Sequence, residues 1–388
     1  MRRLLVVAAL AAAGCAPSYT LPPTHLPDAA APGEKVVVAR DWWKLFGDPV
    51  LDRLVEDAFA SSATLEAAVA RVDAAQARLG VTGSQQLPAV DAALAGSRTQ
   101  LSSLTNPQGP ADPFNTYQAN LRASWEIDLW GRIRNEVAAS ESDLLAASYG
   151  RDAVQLALSA QVAQAYFQLR SLDAQLDTTR RTVASREQSY ALREKRFAGG
   201  ITSELDLRQA ETELASARAQ VPDLADAISR TEGTLAILAG ASPNALFGAG
   251  APRGRSIDAI PVPPAVPEGL PSDLLLRRPD IREAEENLRA AQARVAAART
   301  AWFPRIALTG AYGGESLAFG DLFTGPARAW SFAGSLLAPV FNSGLTAAQV
   351  DLASANERAA AAAYRDTVIR AFADVRNAIH GLEVWPFA

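Results

Sequence analysis

Residues 117–128 read Tyr-Gln-Ala-Asn-Leu-Arg-Ala-Ser-Trp-Glu-Ile-Asp. Tyr117, Ala119, Leu121, Ala123, Trp125 and Ile127 fall on one face, and Gln118, Asn120, Arg122, Ser124, Glu126 and Asp128 on the other. Period-2 alternation over twelve residues predicts a strand. A tilted membrane strand needs roughly 9–11 residues. A soluble antiparallel sheet with one wet face also alternates. Long strands that are apolar outside and polar inside, joined by polar turns, are the pattern of a membrane barrel. In that reading the first set faces lipid and the second faces a lumen.

This strand belongs to a unit that is written twice. Residues 74–96, AAQARLGVTGSQQLPAVDAALAG, align without a gap with residues 290–312, AAQARVAAARTAWFPRIALTGAY, at an offset of 216. Tyr149-Gly150-Arg151-Asp152 is answered by Tyr364-Arg365-Asp366, and Leu129-Trp130-Gly131 by Val340-Phe341 and Gly344. Landmarks repeated in the same order indicate duplication. Each copy predicts an Ala/Arg-rich helix (about 50–86; about 279–302) and a strand opening at a proline (about 88–104; about 304–314). A polar turn, a second strand (about 115–128; about 329–340) and a glycine leading into a long helix follow. In the second copy Ile306, Leu308 and Tyr312, then Trp330, Phe332, Gly334 and Leu336, carry the apolar face. Phe332 and Leu336 join the predicted lipid-facing set, and Trp125, Trp130, Tyr117 and Trp330 supply aromatics for its margins. Four strands cannot close a barrel, because open edges would present unpaired backbone groups to lipid. Three chains related by a cyclic axis would give twelve strands.

The N-terminus gives an address. Arg2-Arg3, the apolar run Leu4–Ala13 and then Gly14-Cys15 form a signal too short to span a bilayer. Cys15, the chain's one cysteine, stands where a lipoprotein signal places its lipidated residue. The mature chain is therefore expected to begin there, lipid-anchored at the outer membrane and extending into the periplasm. No window carries the apolar run of a membrane-spanning helix. A net charge of −5 with no basic block argues against nucleic acid. His25 and His380 have no metal-ligand spacing around them, and no catalytic, cofactor or metal residues emerge. The resulting division is a signal (1–14), an anchored extension (15–45), a first copy (46–240), a Pro/Gly-rich linker (241–270) and a second copy (271–388).

The first copy ends in a helical hairpin. A helix is expected from about Arg132 to Ala198, with Leu158, Val162, Ala165, Leu169, Leu172, Leu176, Thr179 and Val183 facing its partner. The returning helix keeps a 3-4 spacing through Leu207, Ala210, Leu214, Ala217, Val221, Leu224, Ile228, Thr231, Leu235 and Leu238, a coiled-coil seam. Pro222 is expected to bend it. At the turn, Gly199-Gly200 reads as a C-cap and Ser203 to Asp206 as an N-cap with its capping box. Ile201 is an apolar residue at an exposed tip, which suggests a docking contact.

These residues resemble the TolC-like outer-membrane factors of tripartite efflux pumps, particularly their lipoprotein branch. Asp41-Trp42-Trp43-Lys44-Leu45-Phe46-Gly47-Asp48-Pro49 looks like that branch's opening motif, and Leu275 to Arg282, with Arg278, Pro279 and Asp280, is similar to its signature. Phe197 to Asp206 resembles the hairpin tip. The resemblance implies a homotrimer with a twelve-strand barrel on a helical periplasmic tunnel, conducting substrates passively and doing no enzymatic chemistry. It also implies a periplasmic adaptor docked on Gly199, Gly200, Ile201, Thr202, Ser203 and Asp206. By resemblance the inner-membrane pump is of the resistance–nodulation–division type. Beside that reading stand a lipid-anchored coiled-coil scaffold without a pore and a type I secretion exit channel. With the second copy at an offset of 214, Ala388 corresponds to Ala174. A complete copy would run roughly 70 residues further, so the second hairpin is expected to be truncated.

Overall fold

The computed structural model describes residues 41–102, 104, 112–242, 250–261 and 277–384. Cys15, the signal and most of the turn after the first strand lie outside them. The described residues divide into two compact units, 71–102, 104 and 112–148 with 280–371, and 41–70 with 149–242, 250–261, 277–279 and 372–384.

The first unit holds an antiparallel sheet of β1 (Ala89–Thr99), β2 (Phe114–Ile127), β3 (Arg305–Ser316) and β4 (Arg328–Leu337), in the order β1-β2-β3-β4. β1 stops five residues short of expectation, because Thr99 already pairs with Phe114, where its partner strand begins. β4 stops at Leu337, since Pro339 has no N–H to donate. Asp128 is not a strand residue. Its carboxylate accepts from the backbone N–H of Ile133 (3.1 Å) and Arg134 (2.8 Å), capping the first turn of α3 (Arg132–Ala198). The turn into α3 passes through Gly131 at φ +80°, and the turn into α6 (Leu345–Val384) passes through Gly344 at φ +84°. Both copies thus use a left-handed residue, which glycine adopts without a Cβ penalty.

The expected first helix is two. α1 (Pro49–Ser61) and α2 (Ala63–Ser84) are separated at Ser62, whose ψ of 117° takes it out of the helix. Serine is a weak interior helix former. Here Ser62 donates its N–H to the Ala58 carbonyl at 2.9 Å while its own carbonyl accepts from Glu66 at 2.9 Å, closing one helix and opening the next. In the second copy α5 (Pro279–Arg299) ends in a 3-10 turn at Thr300–Trp302.

In the second unit α3 meets α4 (Glu204–Leu238), and every one of the expected seam positions on both helices is buried or half-buried. α4 runs through Pro222 as one helix. Two cross-helix ion pairs, Arg186–Glu213 (2.7 Å) and Arg218–Glu187 (2.7 Å), hold the register. Against the same helices packs the core of Trp43, Leu51, Leu54, Val55 and Ala58 with Leu158, Val162, Tyr166, Leu169, Ile228 and Leu235. Trp42 donates from Nε1 to Ser159 Oγ (3.2 Å), and Phe46 meets Phe167 edge-on at 4.7 Å.

At its centre is a buried carboxylate. Asp48 caps α1 through the Val50 N–H (3.0 Å), accepts from Tyr166 Oη at 2.6 Å and accepts from the Arg255 N–H at 3.0 Å. Gly254 lies so close to Asp48 and Tyr166 that a Cβ has no room there. Segment 250–261 is tied down further by Arg253, which pairs with Asp173 at 3.2 Å and with Glu232. Burial pushes the Asp48 carboxyl up, but the hydrogen bonds from Tyr166, Val50, Arg255 and Leu51 hold it below the ordinary value. Its contribution to stability is therefore complete above the unfolded value near about 3.9 and is lost as pH falls through the lowered folded value. Tyr166→Phe is expected to cost about 1.5–3 kcal/mol, the range for a hydrogen bond to a charged group. It should also move acid unfolding, followed by tryptophan fluorescence, to higher pH; an unmoved acid midpoint would remove Asp48 from this role.

Candidate functional site

The register of the ladder decides which side chains share a face. Leu121 lies opposite Ala92 and Tyr312, Trp125 opposite Leu308, Ile127 opposite Ile306, and Tyr312 in turn opposite Trp330. Gly310 pairs with Phe332 and Ile306 with Leu336. One face of all four strands thus carries Val90, Leu94, Tyr117, Leu121, Trp125, Ile127, Tyr312, Trp330, Phe332 and Leu336. The opposite face carries Gln118, Asn120, Arg122, Ser124 and Glu126, joined by Asp91, Thr309, Glu315, Ser331 and Ser335. The apolar face is not covered: Leu121 is 55% exposed, Trp330 74%, Phe332 73% and Leu336 66%. A water-soluble sheet does not display so continuous a patch of large apolar groups.

The polar face is knitted locally. Arg122 donates from Nε to Asn120 Oδ1 at 2.9 Å, and Arg132 grips Glu126 through two bonds of 2.9 and 3.0 Å. The aromatics sort by end. Trp125 donates to the Gln86 carbonyl (3.0 Å), and Trp130 donates to the Pro304 carbonyl (2.7 Å) while stacking on Phe303. These anchor the helix-side end of the sheet, whereas Tyr117 lies toward the end where β3 turns into β4.

In the other unit the hairpin tip is stiffened from both sides. Gly200 sits at φ +73° and donates to the Phe197 carbonyl (2.9 Å), and Ile201 donates to the Arg196 carbonyl (2.8 Å), which closes α3 as a Schellman turn. Ser203 and Asp206 exchange side-chain-to-backbone bonds of 3.3 Å each, a complete capping box opening α4. These bonds fix the turn's geometry, which presents Ile201 at 76% exposure. Two further apolar side chains share the tip, Leu205 at 67% and Phe197 at 40%. Both lie in the tip stretch Phe197–Asp206 of the sequence reading, but neither was among its docking residues. The signal was available for Leu205, which falls off the 3-4 seam that begins at Leu207. Of the signature residues, Arg278 pairs with Asp374 at 3.2 Å and Pro279 opens α5, while Asp280 Oδ1 accepts from the Ile281 N–H at 3.0 Å. Among the described residues no group of His, Cys, Asp and Glu forms a metal cage.

The sequence profile of the family described as outer membrane efflux protein matches residues 54–241 and 270–384. The solvent efflux pump outer membrane protein SrpC of Pseudomonas putida is 35% identical over 337 residues, covering 87% of this chain and 70% of that protein. OprJ, an outer membrane protein of Pseudomonas aeruginosa, is 33% identical over 382 residues, covering 97% and 79%. The crystal structure of the Campylobacter jejuni CmeC outer membrane channel superposes with a TM-score of 0.86 at 29% identity, covering 94% of this chain and 78% of that one. The chain belongs to the outer membrane efflux protein family, the outer-membrane components of efflux pumps.

Proposed function

We propose that the chain is the channel subunit of a tripartite efflux system, in which three copies close one barrel and conduct substrate passively to the exterior. The observation that carries this reading is the separation of apolar and polar side chains across all four strands, in a sheet whose outer strands β1 and β4 each keep one unpaired edge. Four strands per chain and three chains give twelve, and closure by symmetry satisfies every edge. Tyr117 and Trp125 lie eight residues apart, roughly 27 Å along a strand or about 20 Å of height at barrel tilt. That matches an apolar band bordered by aromatics. Asn120, Arg122 and Glu126 then line the lumen, and Leu121, Phe332 and Leu336 face lipid.

The stiffened apolar tip at Phe197, Ile201 and Leu205 is read as the surface that a periplasmic adaptor grips. The adaptor would connect it to an inner-membrane pump of the resistance–nodulation–division type. Cys15, outside the described residues, is read as the lipid-bearing residue of the mature chain.

The purified protein in a planar bilayer is expected to give discrete conductance steps; a silent protein would favour a scaffold without a pore. Leu121→Arg should reduce the amount of trimer in outer-membrane fractions, at a cost of about 2–4 kcal/mol for a charge in the lipid band. Asn120→Arg, on the other face, should leave trimer nearly unchanged, and equal effects would reverse the assignment of faces. Ile201→Asp should weaken crosslinking to the adaptor several-fold while the trimer persists. Undiminished crosslinking would make Ile201 a hairpin residue only.

A further inference from the structure

The connection between β3 and β4, residues 317–327, reads Leu-Ala-Phe-Gly-Asp-Leu-Phe-Thr-Gly-Pro-Ala. The turn expected to be polar here instead carries one charge, Asp321, and four large apolar side chains. A plain solvent turn has no use for them. Here one of the four anchors the loop: Leu322 is 1% exposed, with Ala327 buried beside it. Two 3-10 turns, Phe319–Asp321 and Gly325–Ala327, tie the backbone to itself. Within them Leu322 donates to the Phe319 carbonyl (3.3 Å), Thr324 to Asp321 (3.1 Å) and Ala327 to Thr324 (3.2 Å).

The loop folds to one side of the sheet. Phe319 meets Tyr117 edge-on at 5.6 Å, and Tyr117 belongs to the apolar face. Gly314 is on that face by alternation with Tyr312, and the direction its Cβ would take is filled by the Leu322 carbonyl. The loop therefore meets the apolar face at β2 and β3, the inner pair of strands. Leu317 (67% exposed), Phe319 (56%) and Phe323 (80%) are its exposed apolar side chains, and Phe319 joins them to the apolar face at Tyr117.

We infer that residues 317–327 form a membrane foot, inserting Leu317, Phe319 and Phe323 among the acyl chains of the outer leaflet at the exterior rim of the barrel. The inference rests on the proposed lipid-facing assignment of the apolar face. Three features of the loop suit acyl chains. It meets that face at Tyr117 and Gly314, its own turns satisfy part of its backbone, which matters where no water is available, and its polar side chains are confined to Asp321 and Thr324.

The test uses nitroxide labels on the full chain in phosphatidylethanolamine/phosphatidylglycerol vesicles, at Phe323→Cys and Leu317→Cys in the loop. Leu121→Cys and Asn120→Cys serve as references for the two faces, and the parent chain sets the background from Cys15. Collision rates are read with oxygen, which concentrates in hydrocarbon, and with nickel-EDDA, which stays in water. The foot requires both loop labels to follow Leu121→Cys, with oxygen collisions exceeding nickel-EDDA collisions several-fold. Nickel-EDDA excess at the loop with oxygen excess at Leu121→Cys would overturn the foot and leave the lipid-facing sheet standing. Loop labels closed to both reagents would show that protein covers them and would also overturn it. Nickel-EDDA excess at Leu121→Cys would remove the lipid-facing assignment and the foot with it.

Discussion

A strand at the edge of a sheet holds a row of N–H and C=O groups that need partners. In water they find them; in hydrocarbon each unsatisfied group costs several kcal/mol. The described residues form one sheet of four strands in simple up-and-down order, with β1 and β4 at the two ends. Its apolar face is fit for lipid and unfit for water, yet its edges are unfit for lipid. Only pairing with further strands reconciles the two, and a closed ring of identical copies supplies them with no new chemistry. In the proposed ring the polar face looks inward, and Asn120, Arg122 and Glu126 line its lumen. The apolar loop at Phe323 lies on the lipid side of that proposed ring.

The second unit answers a different constraint, that a long two-helix hairpin must hold a fixed register from its base to its tip. Leu and Ala alternate along the seam, and the ion pairs at Arg186 and Arg218 add rungs, each modest because each is exposed. The base is set by packing. Trp43 and α1 fill the core, and Asp48 gathers α1, α3 and the 250–261 segment through Val50, Tyr166 and Arg255. At the far end the Schellman turn and the capping box fix the backbone so that Ile201 is displayed and not tucked away.

Much of this was legible in the residues. The alternation from Tyr117 to Ile127 predicted the faces, the proline and glycine punctuation located the strands, and the 3-4 spacing located the seam, because each follows from a local period. The failures came where a local pattern runs on past the structure it describes. Asp128 continues the alternation by parity, but its carboxylate is drawn to the free N–H groups of the helix that follows. Ser62 interrupts an otherwise helical Ala-rich run without a proline or glycine to mark it. Tyr166 and Gly254 meet Asp48 across 118 and 206 residues, and no periodicity carries that contact. The fold-back of Phe319 onto Tyr117 is equally nonlocal. At the tip, Leu205 falls off the 3-4 seam that begins at Leu207, so periodicity alone does not mark its exposed face.

Closure of the proposed ring rests on β1 of one copy pairing with β4 of the next. Cysteines placed in β1 at Ala93 or Ala95 and in β4 at Ala329 or Ala333, all on the polar face, can be bridged by a short bifunctional thiol reagent in isolated outer membranes. With both strands substituted in one chain, the account predicts a ladder of one, two and three copies that stops at three. Substitution of one strand alone should give monomers. A doubly substituted chain that stays monomeric, or a ladder that continues past three, would contradict it.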